Sequence, residues 1–125
     1  MEAQKEKIKS FTDLKAWQEA HGLVLLVYKY TEDFPSKETF GLVNQMRRAS
    51  VSVSSNIAEG FSRSTDKDKC QFYSMALGSL TELQNQLIIA KDVGYLHKEL
   101  FQKIADQTIT VSKLINGLRR IKYKV

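Results

Sequence analysis

The sequence predicts an all-α fold, an up-down-up-down antiparallel four-helix bundle, and three observations carry that prediction. Apolar residues recur at spacings of three and four in four separate stretches, as a buried helix face requires. Proline occurs once and glycine six times, too sparsely to interrupt long regular elements. The connections between stretches are short, so consecutive helices must lie antiparallel.

The first helix is expected to begin after Thr12, an N-cap residue with Asp13 in the first turn. Its inner seam reads Leu14, Trp17, His21, Val24, Tyr28 and Thr31, with Ala20 and Val27 beside it. It should end near Asp33, because Pro35 disfavours helical backbone at Phe34. Ser36 is the expected cap of the second helix, with Glu38 in its first turn, and the helix runs to about Ser62. Here the local signal is ambiguous. Ala49 to Ser55 alternates apolar and hydroxyl residues, which alone reads as a half-buried strand. Over a longer window Leu42, Met46, Ala49, Val53, Ile57 and Gly60 form one helix face, and the helical reading fits better. Ser64 or Thr65 opens the third helix, with Asp66 and Asp68 where the helix dipole favours acids. Its core seam is Tyr73, Ala76, Leu80, Leu83, Leu87 and Ala90, and Gly94 is the expected C-terminal stop. The fourth helix spans about Lys98 to Lys122, with Phe101, Ile104, Thr108, Val111, Leu114, Leu118 and Ile121 inward. Residues 1–10 read as a charged, flexible N-terminal segment and 11–125 as a single domain.

Charge is spread unevenly. The formal balance is +5, and residues 113–125 hold Lys113, Arg119, Arg120, Lys122 and Lys124 with no acid, which accounts for the whole excess. In an up-down bundle the start of helix one, the end of two, the start of three and the end of four share one end. That end would gather Arg63, Lys67, Lys69, Arg119, Arg120, Lys122 and Lys124, with Lys9 and Lys15 nearby. It is the expected contact for nucleic acid, rRNA or another polyanion. The alternative is that the last cations only complement their own helix dipole. Cys70 stands alone, so no intrachain disulfide is possible, and a reducing compartment is expected. The N-terminal stretch does not resemble a signal peptide, and the longest apolar run, Leu23 to Tyr28, is too short to span a bilayer. These features predict a cytoplasmic protein with no membrane partner.

A second, polar stripe runs along helix two: Gln45, Arg48, Ser52, Asn56, Glu59 and Arg63. Unlike an ordinary solvated face, it consists of groups able to make directed hydrogen bonds. Helices two and three fold back about Ser64, which puts Arg48 level with Glu82. Gln71, Gly78, Glu82 and Gln86 share one face of helix three, with Ser79 at its side. Arg48 or a neighbour is expected to pair with Glu82, within one subunit or across a subunit contact. Gly78 costs a helix interior about 1 kcal/mol relative to alanine, and a close backbone approach is the expected compensation. The expected interface is therefore Gln45, Arg48, Ser52, Asn56, Glu59, Gly78, Ser79 and Glu82. Leu25, Val51, Ala58 and Ile89 would be poorly placed in a monomer, which favours self-association. Contact between different faces of neighbouring subunits gives a cyclic assembly.

No catalytic constellation stands out. Di-iron bundles need carboxylates from several helices with Glu-x-x-His pairs, and neither His21 nor His97 follows a Glu by three. His21 falls on the expected inner seam and reads as a core or interface residue. Cys70 lacks a CxxC partner, and Ser50, Ser52, Ser54 and Ser55 lack a placed base. Gly41, Gly60 and Gly78 are isolated, so no phosphate loop is present. The chain is expected not to be an enzyme and to need no metal and no cofactor.

Several of these segments together resemble one family. They are FTDLKAWQEA from Phe11 to Ala20, the FP pair at Phe34, and QMRRASVSVSSNIAEGFSR from Gln45 to Arg63. FYSMALGSLTEL from Phe72 to Leu83 and GYL from Gly94 to Leu96 complete the set. They are similar to the bacterial four-helix bundle proteins encoded by intervening sequences of the large ribosomal RNA, also labelled ribosomal proteins. The resemblance covers roughly Phe11 to Leu118. Family members often carry Ile and Pro where Val53 and Ser54 stand, and Arg where Leu77 stands. The resemblance implies an up-down bundle in a ring-shaped homopentamer. A further similarity, to the accessory protein of diversity-generating retroelements, implies nucleic acid and a reverse transcriptase as partners. A protein-interaction scaffold or accessory subunit, without direct nucleic-acid contact, is the other reading.

Overall fold

A computed structural model describes residues 7–121, and among them the chain forms four long helices and no strand. They are α1 (Lys15–Thr31), α2 (Leu42–Ser62), α3 (Asp66–Asp92) and α4 (Lys98–Arg120). α1 packs on α2 and α4, and α3 packs on the same two. Side-chain bonds give the directions. Ser52 meets Ser79 and Lys69 meets Phe61, so α2 and α3 run antiparallel. Gln84 meets Thr108 and Cys70 meets Arg119, which does the same for α3 and α4. No helix of the described residues is long and apolar enough to cross a membrane.

The seams of α2 and α3 lie as their spacing predicts. Met46, Ala49, Val53, Ile57 and Gly60 are buried on α2, and Tyr73, Ala76, Leu80, Leu83, Leu87 and Ala90 on α3. On α4, Ile104, Thr108, Val111 and Ile115 form the buried row, with Phe101, Leu114 and Leu118 packed against it. Ile121, expected inward, is exposed, because α4 ends at Arg120 and the chain turns extended there.

α1 is rotated from its expected setting. Its buried row is Ala16, Ala20, Leu23, Val27 and Thr31, not the row of larger side chains. Small residues let the helix axes approach, while Trp17 lies half-buried on the shoulder. His21 is exposed and stacks on Trp17 with ring centroids 4.8 Å apart, so it is not a core histidine.

The helix starts also differ from the simplest reading. Ser10, not Thr12, is the first cap: its hydroxyl accepts from Thr12 N–H at 3.1 Å, and Asp13 accepts from Ser10 N–H. This closes a 3-10 turn at Phe11–Asp13, after which Leu14 is extended and α1 begins. Ser36 likewise opens only a short turn, Ser36–Glu38. The cap of α2 comes from Glu38, whose carboxylate accepts from Leu42 N–H at 3.1 Å and from the Tyr95 hydroxyl at 2.8 Å. α1 stops at Thr31, two residues before the expected end.

The connection from α3 to α4 closes as expected. Gly94 has φ +90°, the left-handed conformation glycine adopts readily. Its N–H donates to Lys91 O and Tyr95 N–H donates to Ala90 O, the paired bonds of a Schellman motif.

Candidate functional site

The basic end is assembled by three contacts between helices. Lys69 Nζ donates to Phe61 O at 2.7 Å, satisfying a carbonyl in the last turn of α2. The Cys70 thiol donates to Arg119 O at 3.6 Å, which seats the end of α4 beside the start of α3. The Arg63 guanidinium lies 4.5 Å over the Phe72 ring and pairs with Glu59 at 2.8 Å. Arg63, Lys67, Lys69, Arg119 and Arg120 therefore share one end of the bundle. Lys122 and Lys124 lie outside the described residues.

That end is less purely basic than the list of cations implies. Asp66, Asp68 and Glu59 stand among the cations, and Lys69 is half-buried and committed to a backbone carbonyl. Arg119 also bonds Asn116 Oδ1 at 3.1 Å. Arg120 and Lys67 are exposed.

The polar stripe lies along the α2–α3 seam. The Ser52 and Ser79 hydroxyls bond each other at 2.8 Å, and Asn56 Nδ2 donates to Ser52 O at 2.9 Å. These three side chains are half-buried. Gln45, Arg48, Ala49, Ser52 and Glu82 line one cleft, so Arg48 and Glu82 face the same space, as their levels predict. Among the described residues no ion pair joins them, and Glu82 instead accepts from Gln86 Nε2 at 3.2 Å. Gln86 is buried, and its Oε1 finds no partner among the described residues. Gly78 is exposed with nothing within 4 Å of where a Cβ would stand. The close backbone approach expected there is absent among the described residues. Gln45, Arg48 and Glu59 are likewise exposed.

Sequence reasoning missed Arg47. Its Nε donates to Thr31 Oγ1 at 3.0 Å and its Nη2 to Tyr28 O at 3.2 Å, tying α2 to the last turn of α1. In the first hairpin antiparallel register puts Arg47 level with Tyr28 and Thr31, and that register is the signal in the sequence. Among the described residues no cluster of His, Cys, Asp and Glu could hold a metal ion.

These features define a class of protein first: an all-helical bundle that gathers cations on one end and carries polar side chains along its helix seams. The particular family follows from comparison. The model of the 23S rRNA-intervening sequence protein family matches residues 12–117, and the chain belongs to that family. A solved structure from Bacteroides thetaiotaomicron VPI-5482, described as a protein of unknown function from the S23 ribosomal protein family, has the same fold. Its TM-score is 0.76 at 18% identity, over 85% of this chain and 99% of that one. No curated protein matches the chain significantly.

Proposed function

We propose that the protein is a non-catalytic, cytoplasmic, oligomeric bundle that binds nucleic acid, rRNA or another polyanion, through its basic end. The observation that supports this most is the convergence of Arg63, Lys67, Arg119 and Arg120 from three helices on one end. Phosphate contacts of this kind need no enclosed pocket and carry no sequence preference. A ring-shaped homopentamer is part of the proposal, with the α2–α3 stripe as the subunit contact. Uncovered Gly78, the unpartnered Gln86 Oε1 and the open cleft at Arg48 and Glu82 support that part. Repeating the basic end around a ring would multiply the phosphate contacts.

The test is retention on heparin and on labelled 23S rRNA at moderate salt. The Arg119→Glu, Arg120→Glu, Lys122→Glu triple variant should elute early, and the wild type should lose affinity steeply as salt rises. Unchanged retention overturns the assignment.

The acids Asp66, Asp68 and Glu59 favour a second reading, a protein-interaction scaffold whose end cations are balanced locally. A reverse transcriptase or other protein would then be the partner, and pull-down in place of RNA retention would reveal it.

A further inference from the structure

The groove between α1 and α2 holds a further polar cluster, which adjoins the α2–α3 cleft and shares Arg48 and Ser52 with it. Tyr28, Asn44, Arg47, Arg48, Val51 and Ser52 line it, with no acid among them. Arg47 is held in place by its bonds to Thr31 and Tyr28, and its guanidinium carbon lies 4.5 Å from the centre of the Tyr28 ring. Ring and guanidinium thus form a stacked pair fixed by the last turn of α1. Tyr28 still exposes 42% of its surface, and Arg48 is exposed with no ion pair among the described residues. Asn44 offers an exposed amide at the rim.

We propose that this cleft binds a nucleotide, with the base against the Tyr28–Arg47 pair and the phosphate on Arg48. Such a ligand uses both halves of the site. A simple anion leaves the ring unused, and an apolar peptide leaves the Arg48 charge unpaired. Bases stack on tyrosine rings and on guanidinium planes alike. Because Arg47 is already fixed, less side-chain freedom is lost on binding. The Asn44 amide can donate to or accept from a base edge. The cleft lies about 22 Å from Arg63, counting the helical residues between Arg48 and Arg63 at 1.5 Å each. It is therefore independent of the basic end, and each can fail without the other.

Titration with uridine 5′-monophosphate, followed by NMR, tests this. The Tyr28 ring and Arg48 Nε–H signals should move together. Ribose 5-phosphate, which lacks the base, should bind about tenfold more weakly. Tyr28→Leu should lose that same factor, and Tyr28 lies off the α2–α3 face proposed as the subunit contact, so its sedimentation should match wild type. Arg48 also stands in the proposed subunit contact, so Arg48→Gln is compared at a sedimentation coefficient equal to wild type, where it should weaken both ligands. Arg119→Glu with Arg120→Glu should leave monophosphate binding unchanged. A short single-stranded oligouridylate separates the sources: tighter binding than the monophosphate assigns the cleft to a strand, and equal binding assigns it to a free nucleotide. Equal affinity for the monophosphate and ribose 5-phosphate overturns the proposal. So does wild-type affinity in a folded Tyr28→Leu protein, or a titration that leaves the Tyr28 signals unmoved.

Discussion

A Cβ built on Gly60 would stand 2.6 Å from Tyr73 Cε1 and 2.9 Å from Cδ1, inside van der Waals contact. Tyr73 is buried to 2% exposure, so its ring has nowhere to retreat. Gly60 is therefore a glycine of space, not of backbone conformation. Gly60→Ala gains about 1 kcal/mol in helix propensity and loses about 1–3 kcal/mol to overpacking. The net expectation is a less stable protein, read as a lower urea midpoint at unchanged slope. An unchanged or higher midpoint would mean that α3 can shift to admit the methyl group. The sequence marked Gly60 as part of the core face, yet could not say that its neighbour would be a tyrosine ring.

At the scale of the element, α2 and α1 teach opposite lessons. α2 carries a strand-like alternation through Ala49–Ser55 and is helical throughout. The alternation is explained by two faces: Ala49 and Val53 point to the core, while Ser52 meets Ser79 and Ser54 returns to Val51 O at 3.0 Å. In α1 the largest side chains misled the reading, because the buried face is the one with Ala16 and Ala20. α3 holds the test of the subunit contact. Gly78→Ala meets nothing among the described residues, so it should raise the stability of the isolated chain by about 0.5–1 kcal/mol. Under the ring proposal the same methyl group should weaken assembly. Urea unfolding and sedimentation velocity read the two effects separately, and a variant that assembles as well as wild type removes Gly78 from the contact.

At the scale of the whole molecule, the end opposite the basic face is held by a clasp between its two connections. Glu38 caps α2 through Leu42 and accepts from the Tyr95 hydroxyl. The Leu42 N–H and then the Tyr95 hydroxyl hold the Glu38 carboxyl below its ordinary value of 4.5. The same bond to Glu38 raises the Tyr95 phenol above its ordinary 10.0. The Glu38 contribution is present above the ordinary carboxylate value and is lost as pH falls through its lowered value. The Tyr95 contribution is present below the ordinary phenol value and is lost as pH rises through its raised one. Acid titration of thermal stability should therefore be steeper in wild type than in Glu38→Gln, and identical slopes would show the clasp to be idle.

What the sequence determined by itself was whatever repeats along one helix: the number of helices, their approximate ends, the core faces of α2 and α3, and the stop at Gly94. Those signals are local, and a spacing of three or four residues is enough to carry them. Tertiary structure alone decided how α1 is rotated, which carbonyls Arg47 and Lys69 reach, and that Glu38 caps α2 in place of Ser36. It also decided that Gly78 is bare while Gly60 is crowded. The rotation of α1, the reach of Arg47 and the crowding at Gly60 depend on the distance between atoms of different helices. Packing sets that distance, and the smallest side chains set the packing, although they give the weakest signal in a one-dimensional pattern.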